Sequence, residues 1–95
     1  TQDRNKTSAK LRLTRTYPNP FNPHTVIQYE LTTRSKVQIT ITDVLGRIVL
    51  EVPEKSQEAG LHTFSFDGSM YSSGLYIANV RVDEEHNFIK MLLLK

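Results

Sequence analysis

The chain has 95 residues, 38% of them hydrophobic and 23% charged, which is within the usual range for a single folded globular domain. It contains no cysteine, so neither disulfides nor thiolate metal sites can stabilise it, and its longest apolar run, Met91–Leu94, is far shorter than the roughly 20 residues that span a bilayer. The net charge of +2 is uneven, because residues 1–16 carry five basic residues and one acidic residue. Outside this tail the chain lacks the clustered basic and aromatic residues typical of a nucleic-acid interface, so no nucleic-acid partner is predicted.

Residues 1–10 are polar and predict a flexible linker to an upstream passenger domain. They lack the hydrophobic segment of a secretory signal, so export would require a signal further upstream. The pattern then changes, because Leu11 and Leu13 alternate with Arg12 and Thr14. This alternation predicts a half-buried strand with both leucines on its inward face.

The next segment reads Tyr17-Pro18-Asn19-Pro20-Phe21-Asn22-Pro23. Its three prolines fix φ and remove main-chain donors, which predicts a stiff, ordered loop rather than a strand within a sheet. We expect Tyr17 and Phe21 to fasten this loop to the core, and Asn19 and Asn22 to hydrogen-bond the nearby backbone.

Alternating apolar residues predict strands at Ile27–Leu31, Val37–Thr42, His62–Phe66 and Leu75–Val82. The apolar run Ile48–Leu50 predicts another strand, and Phe88–Leu94 predicts a last strand that is apolar on both faces. The short polar segment Thr32–Ser35 predicts a hairpin-like connection, and hence antiparallel pairing, between the first two of these strands. Asp43–Arg47 is predicted to form a tight turn in which Gly46 adopts a positive φ. Pro53–Gly60 is predicted to be a polar loop.

No apolar pattern repeats at 3.6 residues over the length of a helix. About seven short strands joined by turns predict an all-β fold over residues 11–95, a seven-stranded antiparallel β-sandwich of the immunoglobulin or fibronectin type III kind. The absence of a cysteine pair and of tryptophan argues against an antibody-type domain. The residues expected to fill the core are Ile27, Tyr29, Val37, Ile39, Ile41, Phe64, Phe66, Tyr76, Ala78 and Val80.

Reactive chemistry is not indicated by the sequence. His24, His62 and His86 lie in different predicted loops or strands and lack metal-ligand spacing, and His62 is expected to be half-buried and hydrogen-bonded. Asp83–Glu85 lacks the alternating ligand spacing of a calcium loop and predicts a solvated turn. There is no Gly-x-Ser-x-Gly elbow and no phosphate-binding glycine loop, so no catalytic residue, cofactor or metal is predicted and the domain is not expected to be an enzyme.

Tyr17, Phe21 and Tyr71 flank predicted loops and have two interpretations. They could stack on sugar rings, as in a carbohydrate-binding module, or anchor loops to the core. We favour the second interpretation.

Several segments together carry a family resemblance. Tyr17–Pro23, followed by Thr25-Val26-Ile27, Tyr29 and Leu31, resembles the opening of the C-terminal sorting domains of the type IX secretion system. The resemblance continues through Asp43-Val44-Leu45-Gly46-Arg47, Gly60-x-His62 to Asp67-Gly68-Ser69, Ser73-Gly74-x-Tyr76 and Lys90-Met91-x-Leu93-x-Lys95. It covers about Leu11 to Lys95, and departs from the family pattern at Thr42, where an aromatic is common, and at Tyr71, where a leucine is common.

The resemblance implies a sorting role. Such domains follow larger passengers in Bacteroidota, fold in the periplasm and are recognised by the outer-membrane translocon, after which a sortase-like peptidase often removes them and attaches the passenger to surface lipopolysaccharide. It also implies a location at the cell surface or outside the cell, with cleavage within residues 1–10. The recognition residues would be Lys90, Met91, Leu93 and Lys95. The structural motif would comprise Pro18, Asn19, Pro20, Phe21, Asn22, Pro23, Asp43, Gly46, Arg47, Asp67, Gly68, Gly74 and Tyr76.

Two other functions fit the pattern less well. The immunoglobulin-like domain of a flagellar hook-capping protein has a similar layout of Asn-Pro-Phe and Asp-x-x-Gly-Arg segments. An accessory carbohydrate-binding module of a secreted glycosidase is the other alternative.

Overall fold

The computed structural model describes residues 10–95, apart from the side chain of Leu13. Within this range the chain consists of strands joined by turns and contains no helix, as the sequence predicts. The strands are β1 (Leu11–Tyr17), β2 (His24–Leu31), β3 (Ser35–Asp43), β4 (Ile48–Gln57), β5 (Gly60–Asp67), β6 (Gly74–Val82) and β7 (Glu85–Leu93). The predicted linker lies outside the described residues except for Lys10, the last of its ten positions.

The strands form two antiparallel sheets, one of three strands in the order β1-β2-β5 and one of four in the order β4-β3-β6-β7. The predicted hairpin between β2 and β3 is therefore wrong, because the segment between Leu31 and Ser35 carries the chain from one sheet to the other. Two strands with one apolar face each can pair edge to edge or stack face to face. A short polar connection is compatible with both arrangements, so the local sequence did not distinguish them.

Strand β4 is longer than the sequence indicated. The predicted loop Pro53–Gly60 is wrong over its first part, because Lys55, Ser56 and Gln57 pair with the beginning of β3. The register shifts between Val37 and Ile39, which places Pro53 at an irregularity of an edge strand, where proline's missing donor does not interrupt the sheet. The sequence predicted a loop here because an edge strand that faces solvent can be as polar in composition as a loop.

Strand β1 contains an irregularity that reverses its expected alternation. The register shifts between Leu11 and Leu13, so that Thr14 lies opposite Tyr29 and Thr16 lies opposite Ile27. Because both of these β2 residues are buried, the predicted outward placement of Thr14 is wrong. The hydroxyls of Thr14 and Thr16 are buried and have no hydrogen-bond partner among the described residues.

The inward faces of the two sheets share one hydrophobic core. Nine of the ten predicted core residues are buried, and the tenth, Phe64, is partly buried and packs against the others. The core also takes in Leu11, Phe21, Leu31, Val82, Met91 and Leu93. Full burial of one large apolar side chain stabilises the fold by roughly 1.5–3 kcal/mol, so the terminal strand contributes substantially through Met91 and Leu93.

The domain has two dissimilar ends. At the first, which we call the proline-loop end, residues 17–23 bond the β5–β6 loop and the end of β7. The β3–β4 turn lies at the same end of the domain, because Asp43 pairs with Tyr76 near the beginning of β6. At the second, which we call the entry end, the chain enters β1 beside the β6–β7 turn. No helix among the described residues is long and apolar enough to cross a membrane.

Candidate functional site

The terminal strand β7 is the edge strand of the four-stranded sheet, and the proline loop covers part of its outer edge. The main-chain N–H of Phe21 donates to the carbonyl of Leu92 at 2.9 Å, and the N–H of Leu94 donates to the carbonyl of Phe21 at 3.0 Å. These bonds form an isolated parallel bridge between Phe21 and Leu93. The last strand is therefore bonded on both sides at this point, to β6 and to the loop.

Asn19 continues this covering with its side chain. Its amide Nδ2 donates to the carbonyl of Lys90 at 2.7 Å, and its Oδ1 accepts the N–H of Leu92 at 3.0 Å. The two contacts reproduce what a neighbouring strand would offer, and so satisfy an edge that would otherwise be open to pairing. We predicted bonds to nearby backbone, but the partners of Asn19 lie 71 and 73 positions away.

Phe21 anchors the loop in a cluster of aromatic rings. It is only 2% exposed, and its ring centroid lies 5.9 Å from that of Phe66, which also contacts Tyr71 and Tyr76. Gly68 permits this packing, because a Cβ there would lie 3.2 Å from the ring of Phe21 and 3.0 Å from Leu93. A larger residue at this position would push the loop and the terminal strand apart.

The three aromatics considered for sugar stacking do not form a platform. Phe21 is buried, and Tyr71 is half-buried with its hydroxyl donating to the carbonyl of Val49 at 2.9 Å, so both are loop anchors as predicted. Tyr17 is 74% exposed, and its predicted role in fastening the loop is wrong.

The structure separates the four predicted recognition residues into two kinds. Met91 and Leu93 are fully buried, so a partner that binds the folded domain cannot contact their side chains. Lys90 is exposed on the outward face. Lys95 is exposed but engaged, because its Nζ donates to the carbonyl of Ser69 at 2.6 Å and its N–H donates to Ser73 Oγ at 2.9 Å.

The loop that holds Lys95 is itself stabilised by local bonds. The carboxylate of Asp67 accepts the N–H of Ser69 at 2.9 Å and its hydroxyl at 2.5 Å, and these bonds lower the pKa of Asp67. The hydroxyl of Tyr76 donates to the carbonyl of Ser72 at 2.6 Å. Gly74 has a φ of 151°, which few other residues adopt, at the start of β6. The loop thus presents fixed acceptors to the end of the chain.

The β3–β4 turn is organised around Asp43. Its carboxylate accepts the N–H groups of Leu45 and Arg47 at 2.9 and 3.0 Å, and Arg47 Nε at 2.8 Å. Burial opposes ionisation of Asp43, but the bonds from Arg47 and Leu45 outweigh it and lower the pKa of this carboxyl. Gly46 has a φ of 82°, as predicted. The turn is rigid, yet its tip consists of two exposed apolar residues, Val44 and Leu45.

The titratable residues considered for catalysis or metal binding are dispersed. His62 is half-buried and its Nε2 lies 2.7 Å from the carbonyl of Glu58, as expected, whereas His24 neighbours Asp67 and His86 neighbours Asn79. Among residues 10–95 no three histidine, aspartate, glutamate or cysteine residues are grouped to hold a metal ion. The carboxylate of Asp83 is instead bound by Lys10 Nζ at 2.6 Å and by the N–H of Lys36 at 2.9 Å.

The most distinctive feature of the described residues is therefore a terminal strand held between a sheet and a stiff loop. The sequence model of the secretion system C-terminal sorting domain matches residues 15–95. The match covers most of the chain, and the chain belongs to this family of type IX secretion sorting signals.

One solved structure extends the comparison to the fold. It is described as PorZ, an essential bacterial surface component of the type-IX secretion system of Porphyromonas gingivalis, and it matches with a TM-score of 0.56 at 20% sequence identity. The similarity covers 86% of this chain but only 11% of that chain, and at this identity it supports the fold alone. No curated protein sequence matches the chain.

Proposed function

We propose that this domain directs an upstream passenger through the outer-membrane translocon of the type IX secretion system, after folding in the periplasm, and delivers it to the cell surface. The observation that carries the proposal is the family match over residues 15–95. The passenger, the translocon and the route through the periplasm are parts of the proposal.

We further infer that the fold is a seven-stranded sandwich of the immunoglobulin or fibronectin type III kind. The strand order supports this, because β1-β2-β5 corresponds to strands A, B and E of an immunoglobulin domain and β3-β6-β7 corresponds to C, F and G. Here β4 lies beside β3 at the edge of the second sheet.

A sorting signal of this kind acts by shape, and the terminal strand is suited to that role. Its main chain is bonded to the loop at Leu92 and to β6 at the residues beside it, its inward side chains are fixed in the core, and Lys90 projects outward. A receptor that binds a preorganised surface loses little conformational entropy in ordering it, which favours affinity. Lys90 is therefore our proposed recognition residue, with Lys95 holding the end of the strand in place.

Cleavage and attachment form the second part of the proposal. A sortase-like peptidase would cut within residues 1–10, before β1, and transfer the passenger to surface lipopolysaccharide. A polar segment preceding a folded domain is accessible to proteolysis, which supports this location.

The experiment that tests sorting fuses residues 1–95 behind a reporter enzyme that carries its own periplasmic export signal, in a bacterium with a type IX system. We expect the reporter at the surface or in the medium, and we expect it to stay in the periplasm in a strain without the translocon. Mass spectrometry of the secreted reporter measures whether residues 11–95 have been removed. Release that is equal with and without the translocon would contradict the proposed function.

A control must separate loss of recognition from loss of folding. Removing Lys90–Lys95 should trap the reporter, but it also removes Met91 and Leu93 from the core. Circular dichroism of the purified truncated protein therefore accompanies that variant, and normal secretion of a truncated protein would contradict a role for the strand.

Neither alternative function is favoured by a specific observation. The aromatic residues that a sugar-binding surface would need are split between the core and separate loops. The hook-capping alternative rests on segments that the sorting-domain family also accounts for.

A further inference from the structure

We propose that the secretion apparatus recognises the domain through an apolar surface on the outward face of the four-stranded sheet at the proline-loop end. We call this surface the apolar corner, and its members are Val44, Leu45, Ile48, Leu75, Ile77 and Leu92. The inference rests on the proposed function. The partner is a component of the outer-membrane translocon whose contact surface is apolar and carries a carboxylate that pairs with Lys90.

Few groups of the terminal strand are open to a partner in the folded domain. Addition of a partner's strand to its outer edge is blocked from Lys90 to Leu94, because Asn19 and Phe21 already bind the outward main-chain groups there. The inward side chains Met91 and Leu93 are fully buried. In the folded domain, only the outward side chains of this part of β7 remain for a partner.

Those outward side chains are continuous with apolar neighbours on the adjacent strands. Leu75 lies directly opposite Leu92, and Ile77 lies directly opposite Lys90. On the other side of Ile77, Thr42 separates it from Ile48 at the beginning of β4. Directly opposite side chains lie about 4.5–5.5 Å apart at Cβ, so the surface reaches across all four strands, with Thr42 as the polar position between Ile77 and Ile48.

The β3–β4 turn extends this surface beyond the sheet. Val44 and Leu45 are 64% and 73% exposed, although the turn could have placed polar residues there at no cost to its hydrogen bonds. Asp43 and Arg47 hold the turn rigid through main-chain and side-chain bonds. Large apolar side chains on a rigid, exposed turn are typical of a binding surface.

The rest of the same face is polar apart from Phe88, which is 68% exposed and lies opposite Asn79. Toward the entry end, Arg81 bonds Gln38 at 2.9 Å and pairs with Glu54 at 3.5 Å, and Gln38 bonds Glu51 at 3.3 Å. These polar side chains thus serve as hydrogen-bond and ion-pair partners for one another. Lys90, in contrast, stands among apolar neighbours, and its ammonium has no described partner, so a complementary surface would supply a carboxylate.

The position of the apolar corner also fits a receptor-binding role. The chain enters β1 at the opposite end of the domain, where Lys10 binds Asp83. An upstream passenger therefore approaches the domain from the side away from the apolar corner. The surface stays accessible while the passenger is attached.

The experiment uses the reporter fusion described above and a pair of matched substitutions. Ile48→Ser changes the apolar corner, and Leu61→Ser changes an equally exposed apolar residue on β5, since both side chains are 59% exposed. We expect Ile48→Ser to lower the initial rate of secretion about tenfold or more, the effect of losing one large apolar contact. Leu61→Ser should secrete at the wild-type rate.

Three further substitutions test the positive charge of Lys90. Lys90→Glu should reduce secretion by a similar factor, while Lys90→Arg retains it and Lys55→Glu, an exposed charge reversal on β4, leaves it unchanged. Circular dichroism melts establish that each variant is folded, which we expect because the substituted side chains are exposed.

The outcomes separate this inference from the proposed function. If the unaltered fusion is not secreted, the proposed function fails. If it is secreted and the Ile48→Ser and Lys90→Glu variants match it, or if Leu61→Ser is equally impaired, the apolar corner is not the recognition surface although sorting stands. Dimers of the purified fusion that Ile48→Ser dissociates, or Ile48-dependent binding to lipid vesicles without the translocon, would likewise overturn the inference.

Discussion

The two ends of the domain are stabilised by different interactions. At the proline-loop end, main-chain bonds, the Asn19 amide and the buried ring of Phe21 connect segments that are far apart in the sequence. At the entry end, main-chain bonds from Thr32 to Lys10 and from Asp83 to Lys36 do so. They act together with surface ion pairs between Lys10 and Asp83 and between Arg34 and Glu58. Exposed ion pairs contribute little, and salt screens them, whereas buried packing is insensitive to salt. The buried ring of Phe21 and its bridge to Leu93 thus anchor the terminal strand at the end where we propose that it is recognised.

The exposed surfaces of the two ends also differ, in how hydrophobic their side chains are. Within residues 10–95, every strongly exposed large hydrophobic side chain lies at the proline-loop end except Leu61 and Phe88. The entry end displays charged side chains instead, among them Arg34, Glu58 and Glu84. The end with the exposed apolar side chains is the one at which we propose that the domain is recognised. Three substitutions test the difference in stability.

The largest effect is expected from Phe21→Ala. Truncation of a buried aromatic costs about 3–5 kcal/mol, and here it also leaves a cavity against Phe66 and loosens the bridge to Leu93. Urea unfolding monitored by circular dichroism measures the change. Tyr17→Ala is the matched control, because this aromatic lies in the same loop but is exposed, and we expect a change within about 0.5 kcal/mol. Equal losses from the two variants would contradict the anchoring role of Phe21.

A smaller effect is expected from Asn19→Ala, which removes both bonds to the edge of β7. At about 0.5–1.5 kcal/mol for each of the two bonds, the free energy of unfolding should fall by about 1–3 kcal/mol. Hydrogen exchange of the Leu92 amide should accelerate as well. Asn19→Asp can still accept from Leu92 but cannot donate to Lys90, so it should not restore stability.

The control for Asn19 is Asn22→Ala, in the same loop. Asn22 is exposed and forms no described hydrogen bond, so its removal should leave both stability and exchange unchanged. If the Leu92 amide exchanges at the same rate in the wild type, Asn19→Ala and Asn22→Ala, the Asn19 side chain does not protect the edge of β7.

The smallest effect is expected from Asp83→Asn at the entry end, and it should depend on pH. The hydrogen bonds from Lys10 and from the Lys36 N–H lower the pKa of Asp83 in the folded state. The hydrogen bond with Asp83 in turn raises the pKa of Lys10. The stabilisation is therefore present above the unfolded pKa of about 3.9 and is lost as pH falls through the lower folded value. The stabilisation that comes from the raised pKa of Lys10 is present below the unfolded lysine pKa of about 10.4, and it is lost as pH rises through the higher folded pKa.

The measurement is the melting temperature of wild type and Asp83→Asn against pH. We expect a small, constant difference between about pH 5 and 9 that shrinks in acid and in about 1 M salt. Glu84→Gln, in the same turn, is the control and should have no comparable pH dependence. A difference that persists in acid and in salt would mean that Asp83 stabilises the turn by something other than its charge.

Much of the fold was predictable because it is local. The alternation of Val37, Ile39 and Ile41, and of Tyr76, Ala78 and Val80, identified the strands and their inward faces, since successive side chains of a strand point to opposite sides. The Asp43–Arg47 turn was predictable for the same reason, because its bonds join residues at most four positions apart.

The candidate site was only partly predictable. The sequence drew attention to Lys90 and to the proline loop, but the bonds from Asn19 to β7 join positions more than 70 residues apart, which no local pattern encodes. The apolar corner was likewise missed, because Ile48 and Ile77 belong to different strands and come to lie on either side of Thr42 only through the register of β3 with β4 and β6.

The sequence by itself determined that this is an all-β domain, and its ordered motifs indicated the family. The tertiary structure decided which strands share a sheet, which face of β1 is inward after its register shift, and that the end of the chain is held between β6 and the proline loop. The physical reason is that alternation reports which side chains are buried but not what buries them. Pairing, register and edge protection depend on contacts between distant segments, and these arise only when the whole chain folds.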